Sequence, residues 1–462
     1  MEGMFAHLRQ TRLYKFARNT WWIRTPLLTL WNAGFRCYFG LKRIVMRWQS
    51  FLGIVLWPFV GRGQEPPPTD PKLIAMLVFS DLAIDPRVER EARALVAGGY
   101  RVVVVAPKFH AAEPPDWGHG IVIKLCPIEA AYEINAFPWI FSIHMFRAAI
   151  TVGPVAYHCH DAWTVLIGAL AARRRGAKLV VDFHEYFSEN VSDRLVPHRG
   201  LRKLVYQRLE KFALRRADVV ITVCRSIAQD LQRVEPRRIE LVRNIPAIGR
   251  VERPYPSLRD QLKIPDGLFV ILYQGGVGPT RNLPPMIEAL KLIPDAALVI
   301  RGPGMDYYGQ EYRTLAAQLG VSERLFLAGP VPSADVVAAA RGADAGIWSL
   351  VPVCKNFLYA LPNKPFEYVA AGLPVLAAEL PEVKREILDP GFGYGFAHSD
   401  PASIAVAVAR LRADPEIHRR VRDARFEPDW PKLPAIYGAL CTAPATVLMG
   451  SHTIQAEREI RL

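Results

Sequence analysis

Short apolar runs recur along the chain at 73–79, 102–106, 121–125, 155–158, 178–183, 218–223 and 240–242. Runs without polar alternation predict strands buried on both faces, as in a parallel sheet covered by helices. Helical patterns separate them. Val88, Ala92, Leu95 and Val96 give one helix an apolar face. Asp85-Pro86 opens that helix as N-cap and first-turn proline, and Gly98-Gly99 stops it. The alternation pauses at 246–266, a connection holding Pro246, Pro254, Pro256 and Pro265. It resumes with runs at 269–273, 297–300, 324–328, 344–348 and 374–377. The pattern predicts an α/β chain of two doubly wound parallel-sheet units, their strand ends facing a shared crevice. The expected units are 72–245 and 267–425, followed by a helical segment at 426–445 and a tail at 446–462.

Composition changes the picture mainly at the N-terminus. Residues 1–62 hold ten Lys and Arg against one acid, Glu2, which is nine of the fourteen net positive charges. The rest of the chain is too nearly neutral to argue for a nucleic-acid groove. The arm also carries Trp21, Trp22, Trp31, Trp48 and Trp57, yet its longest uncharged run, 48–61, falls short of the roughly 20 residues a spanning helix needs. Basic residues mixed with tryptophan suit a helix lying in the headgroup region of an anionic leaflet, with packing on protein as the alternative and a single spanning helix as a third option. A stiff Pro-rich linker at 63–71 separates the arm from the first unit. Cys37, Cys126, Cys159, Cys224, Cys354 and Cys441 are scattered, as reduced thiols in a cytosolic setting would be.

The stretch 361–377 carries the most chemistry. Asn363, Lys364 and Glu367 open a short helical pattern that Ala371-Gly372 end before an apolar strand. A helix N-terminus takes phosphate on its free N–H groups, and a carboxylate one turn in can hold ribose hydroxyls. Gly275 and Gly276 end the first strand of the same unit and precede Arg281, while Gly302 and Gly304 follow a later strand. Glycine lets the backbone approach a phosphate, and arginine offers a fork for its oxygens. No Asp-x-Asp pair occurs, so Arg281, Lys364 and helix N-termini must neutralise leaving phosphates without a carboxylate-held metal.

In the first unit His160-Asp161 and His184-Glu185 follow successive strands. By the strand-end rule all four face the crevice, as candidate catalytic groups. Their spacing matches no standard zinc pattern. Arg87, on the first helix, faces either the crevice or solvent.

Taken together, PNKPFEYVAAGLPV, HCHDAW, VDFHEYFSEN, YQGG with RNLPPMIEAL, and SDLAIDPRVEREARALVAGGYRVVVVAP resemble the retaining glycosyltransferases of family 4 over about residues 72–440. The resemblance implies a GT-B fold of two facing Rossmann-like domains, with the segment around Trp430 to Tyr437 crossing back to the first. It implies that Glu367 binds nucleotide ribose, that Arg281 and Lys364 hold the diphosphate, and that His160 lies beside the transferred sugar. His184 and Glu185 would face the acceptor. The family motif has two glutamates eight apart, whereas the earlier position here is Tyr359, and Gly276 stands where the phosphate loop usually has arginine. The implied reaction moves a hexose-type sugar from a nucleoside diphosphate sugar to a hydroxyl with retention, and no cofactor or metal is expected. The arm adds the expectation of a lipid-linked glycan acceptor at the cytoplasmic face of the cell membrane. The competing expectations are a non-catalytic scaffold of a polysaccharide assembly complex and a sugar-nucleotide epimerase of the same architecture.

Overall fold

The computed structural model describes residues 69–82, 85–108, 113–126, 143–190, 199–245, 255–332 and 335–442. The basic arm at 1–62, most of the Pro-rich linker and the tail at 446–462 lie outside the described residues.

Two parallel sheets form the frame. The first has seven strands in the order β3-β2-β1-β4-β5-β6-β7. These are β1 (Asp70–Leu77), β2 (Arg101–Pro107), β3 (Ile121–Cys126), β4 (Pro154–His160), β5 (Lys178–Phe183), β6 (Val219–Thr222) and β7 (Glu240–Leu241). The second has six, in the order β10-β9-β8-β11-β12-β13. They are β8 (Phe269–Gln274), β9 (Ala296–Arg301), β10 (Leu325–Ala328), β11 (Ala345–Trp348), β12 (Val375–Ala378) and β13 (Gly393–Phe396). Strand order reverses beside the first strand of each sheet, between β1 and β4 and between β8 and β11, which is where α/β sheets bind ligands.

The apolar patterning missed β13. Its sequence, Gly-Tyr-Gly-Phe, offers no apolar run, and Gly393 is required by a neighbour: a Cβ there would sit 1.8 Å from the Val375 carbonyl oxygen. A short helix, Leu258–Leu262, also stands inside the stretch read as a connection.

Alternate residues of β1 feed opposite layers. Ala75 and Leu77 join a core that continues through the second unit, while Ile74 and Met76 face the helix Pro86–Ala97. That second layer is completed from the far end of the chain. The helix Lys432–Thr442 packs on Pro86–Ala97 and contributes Leu433, Tyr437 and Leu440, all buried. Each such side chain is worth about 1.5–3 kcal/mol of burial, enough to hold the C-terminal helix on the first unit.

Polar ties close the seam between the units. The Tyr186 N–H donates to Asn356 Oδ1 at 2.8 Å, and the Ser226 N–H donates to Glu382 Oε1 at 2.8 Å. Arg243 reaches both Glu386, at 2.7 Å, and Asp429, at 2.8 Å. The Trp430 indole N–H donates to the Ile245 carbonyl at 2.9 Å.

Candidate active site

The candidate phosphate side is built on the helix Asn363–Ala370. Tyr368 fixes it from below: its hydroxyl accepts from the Gln274 N–H at 2.8 Å and donates to the Ile347 carbonyl at 3.3 Å. Gly346 makes room for that ring, since a Cβ there would lie 2.2 Å from it. One turn earlier on the helix, Lys364 runs over the end of β8. A Cβ on Gly275, whose φ is +150°, would sit 1.8 Å from Lys364 Cε. Burial lowers the Lys364 pKa, and the nearby Arg281 charge lowers it further while Glu367 opposes both. Burial likewise raises Glu367, against the pull of Lys364 and of Arg90 from the facing unit. Two cations thus share a glycine turn with one carboxylate, an arrangement that an anion would relieve. Asn363 Oδ1 is buried beside them without a hydrogen-bond partner.

Gly302 and Gly304 have a different local task. A Cβ on Gly302 would meet the Gly275 carbonyl oxygen at 1.8 Å, and one on Gly304 the Val277 oxygen at 2.7 Å. The Gly275 N–H donates to the Arg301 carbonyl at 2.8 Å and the Val277 N–H to the Pro303 carbonyl at 2.9 Å. The second glycine turn therefore braces the first. Around Gly276 an added Cβ meets nothing within 4 Å, so the position where arginine is usual opens on free space.

Across the crevice the first unit presents a buried ionic cluster. β4 and β5 pair in register with His160 beside Asp182. Asp182 accepts from Arg87 at both oxygens, at 2.9 and 2.8 Å, and its Oδ2 lies 3.0 Å from His184 Nε2. Asp161, with φ +58°, turns its carboxylate back onto the His184 N–H at 2.9 Å and lies 3.6 Å from His184 Nδ1. Burial alone would lower the His184 pKa, but the Asp161 and Asp182 carboxylates outweigh it and raise it to about 10. His184 is therefore an imidazolium at neutral pH, with Nε2 at hydrogen-bond distance from Asp182 and His160 and Nδ1 facing Asp161 as an ion pair. His160 Nδ1 sits 2.9 Å from His184 Nε2, and burial lowers its own pKa. A neutral His160 that accepts at Nδ1 carries its proton on Nε2.

Arg87 faces neither the crevice nor solvent, which corrects both options read from the sequence. It is 3 % exposed, locked between Asp182, the Val242 carbonyl at 2.9 Å and Glu91 at 2.9 Å. Glu91, His158, His160 and Asp182 bring ligand-type atoms within 4.8 Å of one another. Arg87 already pairs with Asp182 and contacts Glu91, so the cluster holds its own cation and is a poor host for a further one. Burial and Asp182 push Glu91 well above the usual carboxylate range. The patterning missed Glu91, His158 and Asp182 as partners. Their signal was a charged pair, Arg87 and Glu91, four residues apart beside the apolar positions of one helix.

Glu185 lies at the seam, near Asn356 Nδ2 at 3.5 Å and within the influence of Arg281; burial and Asp161 raise its pKa. Tyr359 stacks on Tyr186 of the first unit, centroids 6.4 Å apart and planes 10° from parallel. Its place is thus an inter-unit contact.

With this geometry, the chain divides as the known families do. Residues 83–245 match the glycosyl transferase 4-like domain, and residues 255–426 match glycosyl transferases group 1. The chain belongs to the GT-B glycosyltransferases of family 4. Among individual proteins it is 27 % identical over 218 residues to a D-inositol 3-phosphate glycosyltransferase of Xylanimonas cellulosilytica, covering 43 % of this chain and 49 % of that protein. It is 26 % identical over 247 residues to the Corynebacterium glutamicum protein of the same name, covering 50 % of this chain and 56 % of that one. The chain thus spans about half the length of the curated relatives it matches. Among solved structures, sucrose-phosphate synthase from Thermosynechococcus elongatus shares the fold with a TM-score of 0.61 at 15 % identity, covering 80 % of this chain and 96 % of that one. Anabaena HepE in complex with UDP-glucose gives a TM-score of 0.53 at 18 % identity, covering 79 % and 94 %.

Proposed function

We propose that this chain is a retaining hexosyltransferase that uses a nucleoside diphosphate sugar and a hydroxyl acceptor. The observation that carries the reading is the crowding of Lys364 and Arg281 around the Gly275 turn, with Glu367 beside them, opposite the His160–His184 pair. The complex of HepE with UDP-glucose supports a nucleotide-sugar donor.

In this reading the free N–H groups of the Asn363–Ala370 helix, Lys364 and Arg281 stabilise the charge that develops on the leaving diphosphate. Glu367 orients the ribose. The transition state is oxocarbenium-like, and fixed charge around the departing phosphate lowers its energy without a protein nucleophile. The leaving phosphate takes the acceptor proton, as the family resemblance implies. His160, 1 % exposed, backs His184 at 2.9 Å, and the more exposed His184 stands with Glu185 on the acceptor side. The reading further places the enzyme at the cytoplasmic membrane face, held by the arm at 1–62 and acting on a lipid-linked glycan in cell-surface polysaccharide synthesis. No cofactor enters the proposed step.

The test is nucleotide release from a panel of UDP-, ADP- and GDP-sugars by wild type, Arg281→Ala and Lys364→Ala. Loss of one phosphate partner is expected to slow turnover by about 10²–10³-fold. Wild-type rates in both variants would sink the assignment. A second reading, a non-catalytic member, draws on Tyr359, whose ring is engaged at the seam where the motif has an acid. It predicts nucleotide binding by thermal shift with no release from any donor.

A further inference from the structure

Two neighbouring helices on the first unit, Asp161–Arg175 and Arg199–Arg216, pack side by side, and each leaves one side exposed. On the second helix the buried side holds Tyr206, Leu209, Ala213 and Leu214. Leu204, Gln207, Arg208 and Arg215 are exposed at helical spacing, with Lys211 half-buried among them. Leu170, Arg173 and Arg174 are the exposed end of the first helix. Leu170 and Leu204 are 41 % and 46 % exposed.

The charge on this face is predominantly basic, although Lys203 pairs with Glu189 and Arg215 with Glu235. Residues 199–216 hold seven Lys and Arg and a single acid, Glu210, which is buried and accepts from the Ser188 N–H at 2.7 Å. Arg173, Arg174, Arg208 and Lys211 make no ion pair among the described residues. We propose that this two-helix face docks on an anionic lipid surface. Unpaired cations around exposed leucines match a headgroup layer, where the charges meet phosphate and the leucines enter the acyl boundary. The arm at 1–62 is itself basic and would be repelled from the face, so arm and face complement the same partner. A polyanion such as RNA offers the leucines nothing. The geometry also serves the site: the first helix starts at Asp161, within one helix length, roughly 20 Å, of the outer basic residues.

This inference rests on the reading of a membrane-proximal acceptor and adds the surface that meets the lipid. The test uses the full chain in flotation with vesicles of equimolar phosphatidylglycerol and phosphatidylcholine, against pure phosphatidylcholine. Wild type is compared with R174E/R208E/K211E and L170S/L204S, with nucleotide release from soluble donor measured alongside. Binding to the anionic vesicles alone is expected. Each lost cation should weaken it about fivefold, and more on reversal, so the charge variant should fall by well over tenfold. The leucine variant should weaken it several-fold, with nucleotide release unchanged in both. Unchanged vesicle affinity in both variants overturns the proposal, as does retention by single-stranded RNA without vesicle binding. A wild type that binds vesicles in this variant-sensitive way but releases nucleotide from no donor leaves the face in place and sinks the transferase reading instead.

Discussion

A glycine at the end of a parallel strand sets the reach of one lysine. Gly275 has no Cβ, and Lys364 occupies the space one would take. Gly275→Ala should therefore push Lys364 off the turn and lower nucleotide release about as far as Lys364→Ala, while thermal melting shows the fold retained. Gly276→Ala, with open space around it, should leave turnover within a few-fold of wild type. Equal rates in all three proteins would show that Lys364 does not act where it lies. Much of this was legible in the sequence, because glycine turns and a Lys–Glu helix are local patterns. What the residues could not reveal was the division of labour, in which Gly302 and Gly304 brace the turn that Gly275 begins.

Strands and helices act as the frame for charge. The end of β4 and the end of β5 bring His160 and His184 together, and Asp182 with Asp161 holds His184 protonated to about 10. The sign follows from linkage: a group raised in the folded state contributes stability that is full below its unfolded pKa, near 6.5, and is lost as pH rises through about 10. Wild type should accordingly lose melting temperature between about pH 7 and about pH 10 more steeply than His184→Gln, as thermal scans across that range can check. If the imidazolium also matters for transfer, the kcat profile should show a basic limb near pH 10 that His184→Gln lacks. Arg87→Ala removes the buried cation that Asp182 shares with Glu91 and leaves Asp182 with His184 as its cation, and should cost about 3–5 kcal/mol by denaturant unfolding. A change below 1 kcal/mol would mean that water reaches the cluster. The patterning placed the two His-acid pairs at strand ends. It gave no sign that Asp182 and Arg87 lie behind them, because ion pairing across 95 residues has no local periodicity.

At the scale of the whole molecule the units are joined through the C-terminal helix and the seam. Tyr437 Oη lies 2.9 Å from His158 Nδ1, and His158 stacks on His160 with centroids 4.5 Å apart. The chain's far end thus touches the layer behind the candidate catalytic histidine. Arg243, tied to both Glu386 and Asp429, is a doubly anchored cation of the seam. Arg243→Ala should loosen the closed arrangement, seen as a larger radius of gyration by small-angle scattering and a raised donor KM, with kcat less affected. An unchanged radius and KM would assign the closure to the remaining contacts.

The sequence by itself determined the class of fold and singled out the helix at 363–370 as the candidate phosphate site. Uninterrupted apolar runs dictate doubly covered parallel strands, and glycine, proline and N-cap residues act within a few positions of themselves. Only the tertiary structure decided that Arg87 is buried, that His184 is the charged histidine, and that Tyr359 meets Tyr186 across the seam. Those outcomes depend on desolvation and on partners distant in the chain, which no local pattern encodes.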